Sequence, residues 1–510
     1  MNLAAIDIGT NSIHMIIVKV QTKESFEILM QEKSMVKLGV GVFAHNELSP
    51  TAFESGVSTI KRYVQLADQY GVDRIITSAT SATREAKNGR AFLDRLIEES
   101  GISPQLISGK EEARLIFLAV RNAISIKKEK VLVIDIGGGS TEAVVGDQEQ
   151  VYYGNSIKLG VLRLLDRVGH QNILNPQERK DLILHIRQTA EKIIQKVVEV
   201  GFTKVVGTSG TIRSLAEACL EKTDNPSPGS VNAEVVKVKD LEKLRDKLLE
   251  STPDERKEIA GIGASRTDGI HLGALVLVEL LQMTNTSEIT ISDASLREGM
   301  IINHIKKHGL QIEENLEGKN IKEKSCLLLS ARYETDLDEK KHISRLSLQL
   351  FDQLKEQHHA GNHERELLYF ASLIFDVGNY IQFKNYHKHS RYIIKNSQLR
   401  GFTNEEVLLL GHLARYHRKS GPKKKHKKYR KLSNKQKQQL KLLSGILRIS
   451  IGLDKTKNQW VQNVYCLPEN QKLTIKVFGE ENMNLEIWEA QRFADTLAKY
   501  LKTNIQIEMG

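Results

Sequence analysis

Apolar and polar positions alternate along residues 1–300 in a pattern that predicts short strands separated by amphipathic helices. Apolar runs of four to seven residues end at Gly-, Ser- or Asp-containing turns, and longer segments between them carry helical periodicity. This succession is typical of an α/β architecture. We predict strands at 4–7, 14–20, 74–79, 130–135, 142–146 and 204–209, and helices at about 51–70, 88–100 and 176–200.

The pattern changes twice in the second half of the chain. From about residue 310 to 455 the strand pattern disappears, and the sequence is helical and rich in His, Lys and Leu. Beyond it we predict short strands at 470–478, 483–488 and 504–509, with a helix at 489–501. These two changes in pattern place domain boundaries near residues 305 and 460. A third boundary near residue 125 lies between two similar strand–turn–strand segments, so we predict four domains at residues 1–125, 126–305, 306–460 and 461–510.

One internal repeat stands out. AAIDIGTNSIHMIIV near the start and LVIDIGGGSTEAVVG at 132–146 each contain a strand ending in Asp-Ile-Gly, a turn of small polar residues, and a second strand. Such a turn exposes successive backbone N–H groups, and Gly9 lets that backbone approach a ligand closely. The repeat predicts two similar domains that face each other.

A third Gly-rich turn, GTSGT at 207–211, follows a predicted strand and opens a helix, so its N–H groups also point outward. Three such turns favour a phosphate clamp over ordinary chain reversals. Asp7 and Asp135 occupy the same offset in the two repeats, and turn geometry does not require a carboxylate there. A metal-binding or water-positioning role is the natural interpretation.

The segment ISGKEEARLIFLAV at 107–120 predicts a helix that carries a further carboxylate. Ser108 and Glu111 form an S-x-x-E capping box, and residues 113, 116, 117 and 120 form a buried stripe. Glu112 has no structural task in this pattern. It is either a favourable anion in the first helical turn or a general base.

Two other features leave alternatives open. Arg84 follows a predicted strand in a Ser/Thr-rich turn, where it either binds phosphate or caps a surface helix. In the helical region, His342, Phe375-Asp376 and Asp454 stand at the relative positions of an H…HD…D metal-dependent phosphohydrolase signature. Because a phenyl ring cannot bind a metal, we do not expect an active metal site there.

Composition and charge narrow the function further. The chain of 510 residues is 40% hydrophobic and 27% charged, with a net charge of +11. Residues 418–431 (RKSGPKKKHKKYRK) hold nine Lys or Arg and no acid, so 11 − 9 = +2 remains elsewhere. This run is either a solvated loop or a contact for a polyanion.

Several protein classes are excluded. Asp7 interrupts the apolar N-terminal stretch, so no signal peptide is evident, and Glu279 interrupts the most apolar segment, 270–283. Three scattered cysteines without metal spacing argue against a disulfide scaffold or a zinc finger. We expect a cytoplasmic protein that does not bind a membrane.

The motifs together resemble the exopolyphosphatase/guanosine pentaphosphate phosphohydrolase family of the actin–Hsp70–sugar kinase superfamily. The elements that match are AAIDIGTNSIHMIIV, ATREA, ISGKEEARLIF, LVIDIGGGSTE, GTSGTIR, ISDASLREGM and LARYHRK. The resemblance implies two ribonuclease H-like domains of the actin-like ATPase type closing over a phosphate-binding cleft. It also implies an all-α HD-like domain, a small α+β C-terminal domain and a homodimer.

The resemblance also implies roles for individual residues. Glu112 falls at the catalytic base and Arg84 at the phosphate-binding arginine. Asp7, Asp135 and Glu142 fall at the Mg²⁺-associated carboxylates, with Mn²⁺ as an alternative metal and K⁺ left open as a monovalent activator. Arg163 and the 418–431 run are assigned to a basic channel for the polymer. Phosphate contacts fall on Gly9, Asn11, Ser12, Gly137, Gly138, Ser140, Ser209 and Gly210.

The expected activity is Mg²⁺-dependent release of terminal orthophosphate from inorganic polyphosphate. The alternative within the family is hydrolysis of the 5′ terminal phosphate of guanosine pentaphosphate (pppGpp), since the same clamp would serve. A more distant alternative is a sugar kinase-like or Hsp70-like ATPase. A nucleic-acid-binding protein is the least favoured, because no recognition motif or interleaved aromatic residues accompany the basic run.

Overall fold

The structure is a computed structural model. It describes residues 1–22, 25–126, 129–169, 173–220, 230–308, 320–423, 425–469, 472–479 and 483–510. The chain divides into two compact units, residues 1–318 and 319–510. The division into four domains stays a prediction: the proposed 125/126 boundary lies between two elements of unit 1, and the 305/306 boundary lies in its last helix, Leu296–Lys307.

Unit 1 contains two mixed β-sheets with the same plan. In the first, the described strands run in the order β3-β2-β1-β4-β5; in the second, the order is β10-β11-β9-β6-β7-β8. In each sheet a central strand pairs antiparallel with the strand that follows it and parallel with a later one. The bounds are β1 Asn2–Ile8, β2 Ile13–Thr22, β3 Ser25–Ser34, β4 Arg74–Ala79, β5 Gln105–Leu106, β6 Val131–Ile136, β7 Thr141–Gly146, β8 Val151–Ile157, β9 Lys204–Thr208, β10 Val235–Lys237 and β11 Glu288–Ile291.

This shared plan confirms the α/β prediction and the internal repeat. The central strands consist of apolar residues that are buried on both faces, which is why they appear in the sequence as continuous apolar runs. Strands β3 and β8 were not predicted. Both lie beside their hairpin partners and carry exposed polar residues, so that neither is a continuous apolar run.

Helices cover the sheets and complete three apolar cores. One core combines residues of β1 and β2 with α5, β6 and α12, so both repeats contribute to it. The apolar helix α11 is buried along almost its whole length inside the second repeat. The bounds are α1 Val42–His45, α2 Pro50–Gln69, α3 Ser81–Glu85, α4 Gly89–Ser100, α5 Gly109–Arg121, α6 Val161–Arg167, α7 Pro176–Val200, α8 Ser209–Leu220, α9 Val238–Glu250, α10 Pro253–Lys257, α11 Ile270–Met283 and α12 Leu296–Lys307, with a 3₁₀ helix at Ala264–Arg266.

Unit 2 is mainly helical and ends in a small sheet. Its strands run in the order β12-β13-β14, with α21 and α22 between β13 and β14. Throughout the described part of the chain, no helix combines the length and apolarity that a bilayer span requires. The bounds are α13 Ile321–Arg332, α14 Leu337–Gln353, α15 Lys355–His358, α16 Asn362–Ile374, α17 Tyr386–Asn396, α18 Asn404–Tyr416, α19 Lys427–Arg430, α20 Asn434–Gly452, α21 Asn484–Phe493, α22 Asp495–Leu501, β12 Val461–Glu469, β13 Lys472–Gly479 and β14 Asn504–Met509, with a 3₁₀ helix at Val377–Tyr380.

One predicted strand in unit 2 is wrong. Residues 483–488 (MNLEIW) alternate apolar and polar positions, but they lie at the start of helix α21. Met483, Glu486 and Ala490 are buried at helical spacing, and the Gln491 amide donates to the Ile505 carbonyl and accepts from the Ile507 N–H. Packing against β14 therefore decides the conformation of a segment that is ambiguous by periodicity.

Candidate active site

The two repeats place their polar turns at the same end of their central strands. Asp7 lies near the end of β1, opposite His14 on β2, and Asp135 lies near the end of β6, opposite Glu142 on β7. The following turns close in the same way: the Gly9 N–H donates to the Ser12 carbonyl at 3.2 Å, and the Gly137 N–H donates to the Ser140 carbonyl at 2.9 Å. The repeat seen in the sequence is thus a repeat in structure.

The two turns are in contact with each other. A Cβ atom added at Gly138 would lie 3.2 Å from Thr10 Cβ and 3.5 Å from Asn11 Cβ. A side chain at this position would therefore crowd the facing turn. The absence of a side chain at Gly138 lets the two polar loops approach closely enough to enclose one small group between them.

A third loop joins them from strand β9. Ser209 has a φ of 94°, a conformation that costs a non-glycine residue energy, and it begins helix α8. The preceding residue, Thr208, is buried, and its hydroxyl donates to the Ala294 carbonyl. The loop is consequently held in a strained shape that directs the start of α8 toward the other two turns.

The three loops enclose a cavity of about 840 Å³ within unit 1. Arg84 and Arg163 are not among the described residues that line it. The predicted site residues that do line it are Asp7, Gly9, Asn11, Ser12, Glu112, Asp135, Gly137, Gly138, Ser140, Glu142, Ser209 and Gly210. The tertiary structure therefore brings together nearly all the positions singled out in the sequence, although their individual roles stay predictions.

Glu112 reaches this cavity from the first turn of helix α5. Ser108 caps the helix by accepting from the Glu111 N–H at 3.2 Å, but the predicted return bond of the capping box is replaced by an ion pair of Glu111 with Arg114. The Glu112 side chain is buried, and burial followed by repulsion from Glu142 raises its pKa well above the usual range. Glu112 is thus a buried carboxyl with a perturbed pKa beside other carboxyls, which is a common feature of catalytic acids and bases.

Three further carboxyls share the acidic side of the cavity. Burial raises the pKa of Asp7 to about 6 and that of Asp135 well above its usual range, with repulsion from Glu142 adding to both. Burial also raises the pKa of Glu142, although hydrogen bonds from the Ser156 and Ser140 hydroxyls oppose this. Mutual repulsion of this kind is relieved by a bound cation.

The carboxyls of Asp7, Asp135 and Glu142 could hold a Mg²⁺ ion that keeps water or substrate oxygens as its other ligands. Asp7 Oδ1 is buried and has no hydrogen-bond partner, so one carboxylate oxygen is available to a ligand. Within the described ranges, no three His, Cys, Asp or Glu side chains converge as a complete metal cage. Mg²⁺ does not require such a cage, because it usually takes one or two carboxylates and keeps water and phosphate oxygens as its other ligands.

The same cavity is also lined by a cluster of cations that the sequence did not predict. Burial and repulsion from Arg266 and Arg297 lower the pKa of Lys33, and burial and Arg213 lower that of Arg266. The buried Nε of Arg213 has no hydrogen-bond partner. This cation cluster comprises Lys33, Lys37, Arg213, Arg266 and Arg297. Crowded, partly unpartnered cations favour binding of a multiply charged anion.

His14 lies beside Asp7 and close to the cation cluster. It occupies the register position that Glu142 holds in the second repeat, and its Nε2 lies 2.6 Å from the Ser12 hydroxyl. Burial and the nearby cations, Arg297 first, lower the pKa of His14 to about 3, so its imidazole is neutral at physiological pH. The substitution of a neutral ring for a carboxylate leaves the first repeat less acidic than the second.

The two predicted arginines lie at the margin of the cavity. Arg84 Nη1 donates to the Ile107 carbonyl at 2.6 Å and lies 3.3 Å from Glu112 Oε2. Arg163 binds Glu85 Oε1 at 2.6 Å and the Gly139 carbonyl at 2.7 Å. Arg84 is therefore a partner of Glu112, whereas Arg163 holds the second loop in place.

The 418–431 run belongs to unit 2, and Lys424 lies outside the described residues.

Replacing Asp7 with Asn should raise the free energy of unfolding of the metal-free protein by about 1–3 kcal/mol at pH 8. The pKa of Asp7 is raised to about 6 from 3.8. Its contribution to stability is therefore complete below pH 4 and is lost as the pH rises through 6. The gain in Asp7→Asn should be small at pH 4 and complete above pH 7.

Urea unfolding followed by circular dichroism at both pH values measures this gain. The exposed Asp94, which forms a surface ion pair with Arg90, provides the control Asp94→Asn. An equal gain at pH 4 and pH 8 would contradict the prediction.

Comparison with known proteins identifies the family. Residues 16–308 match the Ppx/GppA phosphatase family, and residues 321–496 match domain III of Ppx/GppA phosphatases. An exopolyphosphatase from Cytophaga hutchinsonii is 28% identical with a TM-score of 0.57, covering 60% of this chain and 98% of its own. The Aquifex aeolicus member of the Ppx/GppA family is 27% identical with a TM-score of 0.53, covering 60% and 98%. Because the family matches span most of its length, this chain belongs to the Ppx/GppA phosphatase family.

Proposed function

We propose that the protein is a Mg²⁺-dependent exopolyphosphatase that releases terminal orthophosphate from linear polyphosphate. The observation that carries the proposal is that one cavity is lined both by the carboxyls of Asp7, Glu112, Asp135 and Glu142 and by five cations. A polyphosphate end brings several adjacent negative charges, so it complements the cation cluster better than a single orthophosphate would. Mn²⁺ as the metal, K⁺ as an activator, a homodimer and a cytoplasmic location remain expectations from the family resemblance.

In this proposal the terminal phosphate binds between the paired turns. Its oxygens accept hydrogen bonds from backbone N–H groups of these turns and of the start of helix α8. The Arg266 guanidinium, which lies against Gly210, neutralises charge on the same group or on the next phosphate. Asp7, Asp135 and Glu142 would hold Mg²⁺, which withdraws charge from the phosphate oxygens when bound.

Glu112 acts as the base that takes a proton from the attacking water. In the metal-free protein its pKa is raised by burial first and then by repulsion from Glu142, Asp7 and Asp135, so the charged form is disfavoured. Neutralising those neighbours removes the repulsive part of this shift and lowers the pKa toward the usual value. Glu112 then ionises when the site is loaded, and Arg84 at 3.3 Å favours the same ionised form. In this proposal Glu112 becomes able to accept a proton from water when the charges of the neighbouring carboxylates are neutralised.

Hydrolysis of pppGpp is the alternative, since its 5′ triphosphate presents the same terminal group. The basic run at 418–431 favours the polymer, because a nucleotide does not require nine additional cations. Phosphate release from purified protein with Mg²⁺, measured in parallel on long-chain polyphosphate and pppGpp, decides between them. A preference for the nucleotide would overturn the polymer assignment. Rapid hydrolysis of ATP, or phosphorylation of a sugar, would instead favour the kinase-like class.

Replacing Arg266 with Ala should lower kcat/KM for polyphosphate about 10- to 100-fold, mainly through KM. One charge-assisted hydrogen bond to phosphate contributes about 1.5–3 kcal/mol. The unfolding temperature of Arg266→Ala should not fall, because the substitution removes the repulsion between Arg266 and Arg213. Steady-state kinetics and thermal unfolding test both statements, with Arg90→Ala, an arginine whose side chain is 81% exposed, as control. An unchanged KM would exclude Arg266 from substrate binding.

A further inference from the structure

Unit 2 retains the positions of a metal-dependent phosphohydrolase signature but fills them differently. His342 lies on helix α14, Phe375 and Asp376 follow helix α16, and Asp454 follows helix α20. All four are buried. Phe375 stands where the signature has a histidine, so one of the expected donors is a hydrocarbon ring.

A lysine from the same helix as His342 lies at this place. The side chain of Lys340 is fully buried, and its Nζ is 2.6 Å from Asp376 Oδ2 and 3.3 Å from Glu339 Oε1. The same Nζ lies 4.4 Å from the centre of the Phe375 ring, on which its positive charge rests. A buried lysine is rare, and here the carboxylates of Asp376 and Glu339 and the ring of Phe375 all interact favourably with its charge.

The surrounding groups complete the balance of charge. Lys457 Nζ binds the other oxygen of Glu339 at 2.7 Å. Two carboxylates, Glu339 and Asp376, thus face two ammonium groups. Asp454 accepts from the Gln459 N–H at 3.0 Å, and burial raises its pKa to about 6.

Oxygens and a nitrogen that would be ligands in a metal site are left without partners. Asp376 Oδ1, Asp454 Oδ2 and His342 Nε2 are buried and accept no hydrogen bond. Across the described part of unit 2, no three potential ligands converge closely enough to hold a metal. A divalent ion at Asp376 would also lie beside the ammonium of Lys340, and this repulsion would be large because the site excludes water.

We propose that the ammonium group of Lys340 takes the place of a metal ion in unit 2. It neutralises Asp376 and Glu339, while Phe375 packs against it where a histidine ligand would otherwise stand. The residues of this site therefore do not fit a metal, and a requirement of the enzyme for divalent metal arises from unit 1 alone. This inference does not depend on which phosphate compound is the substrate.

Replacing Lys340 with Ala in the full-length protein tests this inference. The variant leaves Asp376 and Glu339 without their cation and opens space for another one. Trp460 and Trp488, the two tryptophans of the chain, both lie in unit 2, so their fluorescence reports its unfolding. In EDTA we expect the unfolding temperature to fall by roughly 10 °C, the effect of breaking a buried ion pair in a domain of this size.

Addition of millimolar Mn²⁺ should recover at least half of this loss in Lys340→Ala. It should shift the wild type and the control Lys341→Ala much less. Lys341 is the neighbouring residue on α14, but its side chain is 64% exposed and pairs with Asp338 on the surface. An equal effect of Mn²⁺ on all three proteins, or an unchanged unfolding temperature of Lys340→Ala in EDTA, would overturn the proposal.

A double variant covers the case in which Lys340→Ala does not fold. Lys340→Met combined with Asp376→Asn removes both charges of the pair while keeping side chains of similar volume. We expect this variant to unfold at a higher temperature than Lys340→Met alone and within a few degrees of the wild type. If the second substitution instead adds to the loss, Lys340 is not the counter-charge of Asp376 and the proposal fails.

Discussion

Replacing Glu112 with Gln should lower kcat by about 10²- to 10⁴-fold while polyphosphate still binds, since this is the usual contribution of a general base. Gln keeps the size of the side chain but cannot take a proton from water. Removing a buried carboxyl whose pKa is raised should not weaken the fold, because the charged form is disfavoured in the metal-free protein. A loss of activity without a loss of stability would therefore separate catalysis from folding.

The adjacent residue provides a matched control. Glu111 lies one position earlier on α5 and accepts hydrogen bonds from Nε and Nη2 of Arg114. Glu111→Gln should retain most of the activity and lose a little stability. Phosphate-release kinetics and polyphosphate binding by filter retention measure the two variants. If Glu112→Gln turns over at the wild-type rate, another group is the base.

The second large effect is expected for Asp135→Asn. Asp135 lies in the register pair with Glu142 and shares the acidic side with Asp7. Loss of one of the proposed metal carboxylates should lower activity by about 10²- to 10³-fold, since metal stabilisation of developing charge contributes several kcal/mol. The Mg²⁺ concentration for half-maximal activity should rise, which loss of a general base would not cause.

Mg²⁺ titration of the residual activity distinguishes these roles. The exposed aspartate variant Asp94→Asn should titrate like the wild type, because its partner is the surface residue Arg90. In EDTA, Asp135→Asn should be at least as stable as the wild type, as burial and repulsion disfavour the charged carboxyl. An unaltered Mg²⁺ requirement in Asp135→Asn would remove this residue from the metal site.

Much of the site could be predicted because its parts are local. The turns after β1, β6 and β9 depend on short segments of small polar residues that follow apolar strands. Asp7 and Asp135 could be paired because the same local pattern occurs twice, and equal local patterns form equal turns. Glu112 could be distinguished from Glu111 because the S-x-x-E pattern with Ser108 assigns a structural role to Glu111 and none to Glu112.

The cation cluster could not be predicted in the same way. Lys33 comes from the end of β3, Arg213 from α8, and Arg266 from a 3₁₀ helix beside α11. The motifs GTSGTIR and ISDASLREGM contained Arg213 and Arg297, so a signal for two of the five was present. The convergence of the five cations on one cavity depends on how separate elements cross over the sheets. The burial of Lys340 could not be predicted from the sequence either, since only packing shows that a lysine on a polar helix is buried beside Asp376.

By itself, the sequence determined the α/β class, the repeat, the polar turns and the carboxylate that starts helix α5, because each depends on residues close together in the chain. The tertiary structure alone decided which charges face one another. It brought five cations into one cavity with Asp7, Glu112, Asp135 and Glu142, turned residues 483–488 from an apparent strand into a helix, and buried Lys340. Charge interactions and burial depend on distance in space rather than along the chain, and that distance is set only when the elements pack.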